Sequence, residues 1–280
     1  MKFGASTFIW VSPFSKITLD LLKKAKEMGF DELEVCIEDP GTIDTAAIID
    51  AAQEVGIGVL ICGAFGPDRD ISSEDAEIRK SGVRYIKTCI DMAQAVDSPL
   101  VSGPMYSATG KCALLSPSER EQQWSRAVEN MKALADYAGE RGVKLAVETL
   151  NRFETDFLNT VDQGLDFFHR IGRDNVGFLL DTFHMNIEEK NMGDALRRAG
   201  KKIFNFHACS NDRGTPGEDH LPWGDITDAL KDIGYDDYVV IESFTTDIVE
   251  IARAVSLWRP LAASQDALAG NGLAFLKRIF

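Results

Sequence analysis

The 280-residue sequence has no run of 18 uninterrupted apolar residues. It also lacks the charged leader, long apolar core and small-residue cleavage site of a secreted chain ahead of its first apparent strand, so neither membrane insertion nor secretion is expected. Cysteine is sparse and unpatterned. Cys36, Cys62, Cys89, Cys112 and Cys209 are odd in number and form no C-x-x-C pair, which argues against a disulfide framework or thiolate zinc and makes a reducing cytoplasm the expected home. Positive charge is also short. Thirty Lys and Arg against 44 Asp and Glu leave a formal charge of −14, and no basic stripe offers phosphates a landing site, so no nucleic-acid or membrane-surface partner is expected. No G-x-G-x-x-G follows the first strand and no G-x-x-x-x-G-K-[ST] occurs, so nucleotide binding has no motif to rest on. Ser/Pro-rich linkers and abrupt composition shifts are missing too, which points to one domain over residues 1–280.

Short apolar runs alternate with amphipathic segments along the whole chain. The runs at Lys2–Thr7, Leu33–Ile37, Gly58–Cys62, Pro99–Ser102, Leu145–Glu148, Val176–Asp181, Ile203–His207 and Tyr238–Glu242 read as strands. Helices are expected at Ile17–Met28, Asp44–Val55, from an N-cap at Ser72 or Ser73 to Val96, and at Ser118–Arg141. Further helices are expected at Thr160–Ile171, Ile187–Ala199 and Asp225–Ile233, with a mostly helical tail over about residues 247–280. Eight strands each followed by a helix predict an α/β protein with a single (β/α)8 TIM barrel; a doubly wound open sheet is the alternative.

The last four strands finish on metal-capable side chains: Glu148, Asp181, His207 and Glu242. In a parallel barrel those ends converge on the face that carries catalysis. Three carboxylates and an imidazole suit an oxygen-preferring divalent ion, Mn²⁺ first, with Mg²⁺ or Co²⁺ as alternatives. Such an ion also offsets the mutual repulsion of the carboxylates.

The runs E-T-L-N-R-F-E-T at 148–155, D-T-F-H-M-N-I-E-E at 181–189, H-x-x-x-x-x-R at 207–213 and I-E-S-F at 241–244 carry a resemblance. The S-S-E-D segment at 72–75 and L-W-R-P-L at 257–261 extend it over nearly the full length. The sequence resembles the ketose 3-epimerases, the D-tagatose/D-psicose (allulose) and L-ribulose 3-epimerase group of the xylose-isomerase-like barrels. The resemblance implies that Glu148, Asp181, His207 and Glu242 bind the metal and that Glu148 and Glu242 also act as the acid/base pair. It further implies that Glu154, His184 and Arg213 hold the oxygens near carbons 1 to 3 of an unphosphorylated ketose, epimerised at carbon 3 through a cis-enediolate. A homodimer or homotetramer is the expected assembly. A sugar or hydroxypyruvate isomerase and a keto-polyol dehydratase remain alternatives on the same site. An AP endonuclease does not, since four histidines and a strongly acidic surface suit neither its metal cluster nor DNA.

Three positions depart from the family's pattern. Ser210 stands where a Glu is common, Ser6 where an aromatic is common, and the loop around Ala108 lacks a Trp found in some relatives. All three are expected around the distal end of the sugar. Trp10, Phe65, Trp223 and Phe244 are candidates for its apolar wall.

Overall fold

The computed structural model describes residues 1–280. Its strands are β1 (Lys2–Ser6), β2 (Glu32–Ile37), β3 (Gly58–Gly63), β4 (Leu100–Gly103), β5 (Lys144–Glu148), β6 (Val176–Asp181), β7 (Ile203–His207) and β8 (Tyr238–Ile241). All neighbours pair parallel, and β1 pairs with β8, so the sheet closes into the expected (β/α)8 barrel. The helices are α1 (Asp20–Met28), α2 (Thr45–Val55), α3 (Ala76–Ala95), α4 (Pro117–Gly139), α5 (Val161–Ile171), α6 (Thr182–Glu188), α7 (Met192–Ala199), α8 (Trp223–Asp232), α9 (Val249–Ala254) and α10 (Gln265–Ile279).

Several helix boundaries differ from the sequence reading, four of them for an evident local reason. Thr18 Oγ1 closes a turn with Ser15, so α1 starts at Asp20 and leaves Ile17 exposed. Ser72 is not a cap: it is buried with its hydroxyl donating to Asp70, and Asp75 caps α3 by accepting from the Glu77 amide. Ser116 and Glu119 form a capping box with Pro117 between them, which starts α4 before Ser118. The single helix expected over Ile187–Ala199 is two helices. Glu189 leaves the helical path and its carboxylate accepts from the Val161 amide, after which Asn191 caps α7.

Inside the barrel, Leu60, Leu100, Ala146, Leu179, Phe204 and Val240 make an apolar layer supplied by six strands. Above it lies a polar layer. Period-two alternation carries Ser102, Glu148, Asp181 and Glu242 to the same interior, two residues beyond their apolar predecessors. β7 breaks that alternation. Its register skips from Phe178↔Ile203 to Leu179↔Asn205, so Phe204 and Asn205 both face inward. Regular alternation from Phe204 would have aimed Phe206 inward and His207 at the helices. The bulge is what delivers His207 to the mouth. A larger apolar shell between strands and helices holds the assembly together, with Phe157, Phe167, Phe178 and Trp124 at its centre.

Candidate active site

Glu148 ends β5, Asp181 ends β6, His207 ends β7, and Glu242 follows β8 directly. One ligand atom from each lies within 4.8 Å of the other three, and all four residues are buried. An octahedral ion with bonds of about 2.1 Å separates opposite ligands by roughly 4.2 Å, so the cluster has the dimensions of a single-ion site. Two of its donor atoms are also unspent: Glu148 Oε1 and His207 Nδ1 are buried without a hydrogen-bond partner. The residues therefore fit a divalent cation.

Local structure sets each ligand. Asp181 caps α6, its Oδ1 accepting from the Phe183 amide at 2.7 Å, which leaves Oδ2 facing the cluster. His207 Nε2 lies 2.9 Å from Glu34 Oε1, so Nδ1 faces Glu242 Oε2 at 3.6 Å and Asp181 Oδ2 at 3.9 Å. Glu34 in turn accepts from Asn205 Nδ2, which also bonds Ser102 Oγ.

Arg213 adopts φ +68° and turns inward instead of pairing with Asp212 or Glu218. Its Nη1 donates to Asp181 Oδ2 at 2.6 Å and to Glu242 Oε2 at 3.1 Å, and the guanidinium lies between the rings of Phe183 and Phe244. The Asn151 amide donates to His184 Nδ1, and Nε2 lies 3.0 Å from Arg213 Nη2 and 3.4 Å from Glu148 Oε1. Asn151 Nδ2 also donates to Glu154 Oε1 at 2.8 Å. The structure thus brings all seven sequence-predicted residues together: Glu148, Glu154, His184, Arg213 and Glu242 line one cavity, with Asp181 and His207 beneath it.

The two candidate proton-transfer groups sit in opposite environments. Burial pushes the Glu148 carboxyl above its ordinary value, with Glu242 adding to the rise. Burial would raise Glu242 as well, but His207 and Arg213 outweigh it and hold that carboxyl below the usual range. Asp181 is likewise buried, yet Arg213 and the histidines hold it well below.

The departures lie elsewhere than expected. Ser6 is buried beneath the mouth, its Oγ accepting from Phe8 N and 3.4 Å from Cys36 Sγ. Ser210 donates to Asp212, and Ala108 is packed into its loop. None of the three lines the cavity; its far wall is Phe8, Glu38, Cys62–Gly66, Pro104, Thr109 and Gly110. Of the candidate aromatics, Phe65 and Phe244 reach it. Trp10 and Trp223 do not, since each indole N–H is held by a carboxylate, Asp266 and Asp219 respectively.

Sequence reasoning passed over Glu34, Glu38 and Asn151. The alternation E-x-E-x-C-x-E over 32–38 was a signal, because acidic residues at alternate positions of a buried strand share one face. The second half of D-T-F-H-M-N-I-E-E also has a structural task. Glu188 takes the Arg152 amide at 2.8 Å and its guanidinium at 2.9 Å, pinning the loop after β5 onto α6.

No helix is long and apolar enough to cross a membrane. A family model described as a xylose isomerase-like TIM barrel matches residues 22–279. The chain is 34% identical over 280 residues to a probable ketose 3-epimerase of Synechocystis sp., covering 100% of this chain and 97% of that one. It is 33% identical to the D-psicose 3-epimerase of Agrobacterium fabrum, covering 98% of each. Among solved structures, a D-allulose 3-epimerase from Methylomonas sp. in complex with D-allulose superposes with a TM-score of 0.94 at 29% identity, covering 100% of this chain and 97% of that one. An L-ribulose 3-epimerase superposes with a TM-score of 0.93 at 33% identity, covering 99% and 94%.

Proposed function

The chain belongs to the ketose 3-epimerase family of xylose isomerase-like TIM barrels, a family of carbohydrate isomerases, and from that premise we propose that it is a metal-dependent epimerase of unphosphorylated ketoses acting at carbon 3. Pairs of the D-tagatose/D-sorbose, D-fructose/D-psicose or L-ribulose/L-xylulose type are the substrates this reading covers. The observation that carries it is the convergence of Glu148, Asp181, His207 and Glu242 at one end of the barrel, with two buried glutamates in opposite electrostatic settings.

In this reading the four residues hold one divalent ion, Mn²⁺ with Mg²⁺ or Co²⁺ as alternatives, which supplies Lewis-acid polarisation of the ketone and the neighbouring hydroxyl. One of Glu148 and Glu242 removes the carbon-3 proton as its carboxylate, and the other returns a proton to the opposite face of the flat cis-enediolate. The roles exchange in the reverse direction. β5 and β8 stand three strands apart round the barrel, so the two carboxylates approach a ligand from different sides. His184 lies against Glu148 and Arg213 against Asp181 and Glu242, placed to hold the oxygens near carbons 1 to 3, and Glu154, braced by Asn151, accepts a substrate hydroxyl. A homodimer or homotetramer and a cytoplasmic location complete the reading.

A panel of free ketoses with metal-stripped and metal-restored protein, analysed by sugar NMR, tests it. Interconversion of at least one carbon-3 epimer pair, dependent on the added ion, is the expected result. A protein that epimerises none of D-fructose, D-tagatose or L-ribulose under every metal would refute the assignment.

A further inference from the structure

Glu32, Glu34, Cys36 and Glu38 follow one another at alternate positions of β2 and the residue after it, so this face climbs the barrel interior from floor to mouth. Glu32 is paired with Lys2 at 2.8 Å at the bottom, and Glu34 is engaged by Asn205 and His207 half-way up. Glu38 reaches the cavity. Its Oε1 accepts from Ser12 Oγ at 2.6 Å, whereas its Oε2 is shielded from solvent and has no hydrogen-bond partner. The nearby Arg69 does not serve it: the guanidinium donates to the carbonyls of Ala64 and of Glu38 itself and stacks on Tyr85.

β2 stands four strands from β6, so Glu38 sits on the side of the barrel opposite the strand that carries Asp181. A ligand whose reacting end lies among Glu148, His184, Arg213 and Glu242 therefore extends its other end towards Glu38, in a cavity that Phe8 and Phe65 also line. A shielded carboxylate oxygen in such a wall carries a desolvation cost unless a donor meets it, and a sugar hydroxyl is such a donor.

We propose that Glu38 is the acceptor for the hydroxyls of the ketose beyond carbon 3, so that the site selects a neutral, hydroxylated chain end over a deoxygenated or phosphorylated one. This rests on the ketose reading above. The carboxylate acts through binding that is the same in ground and transition states, so its loss falls on KM and not on kcat.

The test compares a ketohexose that the metal-loaded protein epimerises with its 5-deoxy and 6-deoxy analogues, in wild type, Glu38→Ala and Glu38→Gln. A hydrogen bond to a charged acceptor predicts that wild type loses about tenfold or more in kcat/KM on at least one analogue. In Glu38→Ala, KM for the parent sugar rises about tenfold with kcat within roughly threefold, and the gap between parent and analogue collapses. Glu38→Gln retains an acceptor oxygen, keeps part of the gap, and carries the comparison should the alanine variant fail to fold. An undiminished gap in these variants, or a fall in kcat at constant KM, overturns the role of Glu38 while leaving the epimerase reading intact. Wild type inactive on every ketose overturns both.

Discussion

Glu34 Oε1 lies 2.9 Å from Nε2 of His207, and both residues are fully buried. The contact is an ion-pair distance with the ring N–H off the line to the oxygen, and it orients Nδ1 towards the carboxylates of Asp181 and Glu242. Buried partners of metal-ligating histidines set ring orientation and basicity, and their loss typically costs about 10- to 100-fold in metal affinity. Glu34→Ala is expected to weaken Mn²⁺ binding by that amount, read by isothermal titration calorimetry on stripped protein. Unchanged affinity would mean that His207 is held by packing alone.

Asn151 joins two groups assigned to the substrate, its amide on His184 and its side chain on both His184 and Glu154. Asn151→Ala keeps the backbone donor and removes the side-chain one. Glu154 then loses its brace, and KM for the ketose should rise about three- to tenfold, the order of one hydrogen bond, with metal affinity unchanged. A drop in metal affinity would instead place Asn151 in the support of the ligands.

Metal binding and pH are coupled with a defined sign. Burial raises Glu148; burial would lower His207, but Glu34 and Glu242 raise it well above the ordinary imidazole value. A proton on either group occupies a lone pair that a cation needs, so metal affinity rises with pH, from the ordinary glutamate value of 4.5 upward, and binding releases protons. In the metal-free fold Glu148 and His207 contribute the opposite trend. Groups with raised folded-state pKa values give stability that is complete below their unfolded values and lost as pH rises through the folded ones. The gap in Tm between metal-loaded and stripped protein should therefore widen from acid to neutral pH. Differential scanning fluorimetry across that range checks it, and a constant gap would contradict it.

Gly164 lies inside α5, where alanine is intrinsically favoured by about 1 kcal/mol. A Cβ there would stand 2.2 Å from Phe178 Cε1, in the aromatic core between α5 and β6. Crowding of that kind costs about 1–3 kcal/mol, so packing offsets or outweighs propensity and Gly164→Ala should be destabilised by up to about 2 kcal/mol in urea unfolding. A stabilised variant would show that the aromatic cluster yields.

Much of the barrel and its site was legible in the sequence because β5, β6, β7 and β8 each carry an apolar run up to a ligand-capable residue. The order of elements then needs only the rule that such strands close into a parallel barrel. The bulge at Phe204 was not legible, since no glycine or proline within β7 marks it and the glycine that accommodates it, Gly177, lies on the neighbouring strand. The departures at Ser6, Ala108 and Ser210 were placed on the cavity wall by position along the chain, yet side-chain direction decides the matter. Ser6 and Ser210 spend their hydroxyls on neighbours in the chain or on the adjacent strand, and Glu38, one residue past β2, lines the cavity.

Solvent deuterium incorporation tests the central claim most directly. Incubation of a substrate ketose with metal-loaded protein in D₂O, followed by NMR of the sugars after metal removal, should place deuterium at carbon 3 and nowhere else. Glu148→Gln and Glu242→Gln should each reduce epimer formation by at least about a thousandfold, consistent with loss of general acid–base catalysis. Deuterium at carbon 1, loss of water, or full turnover in either variant would contradict the account.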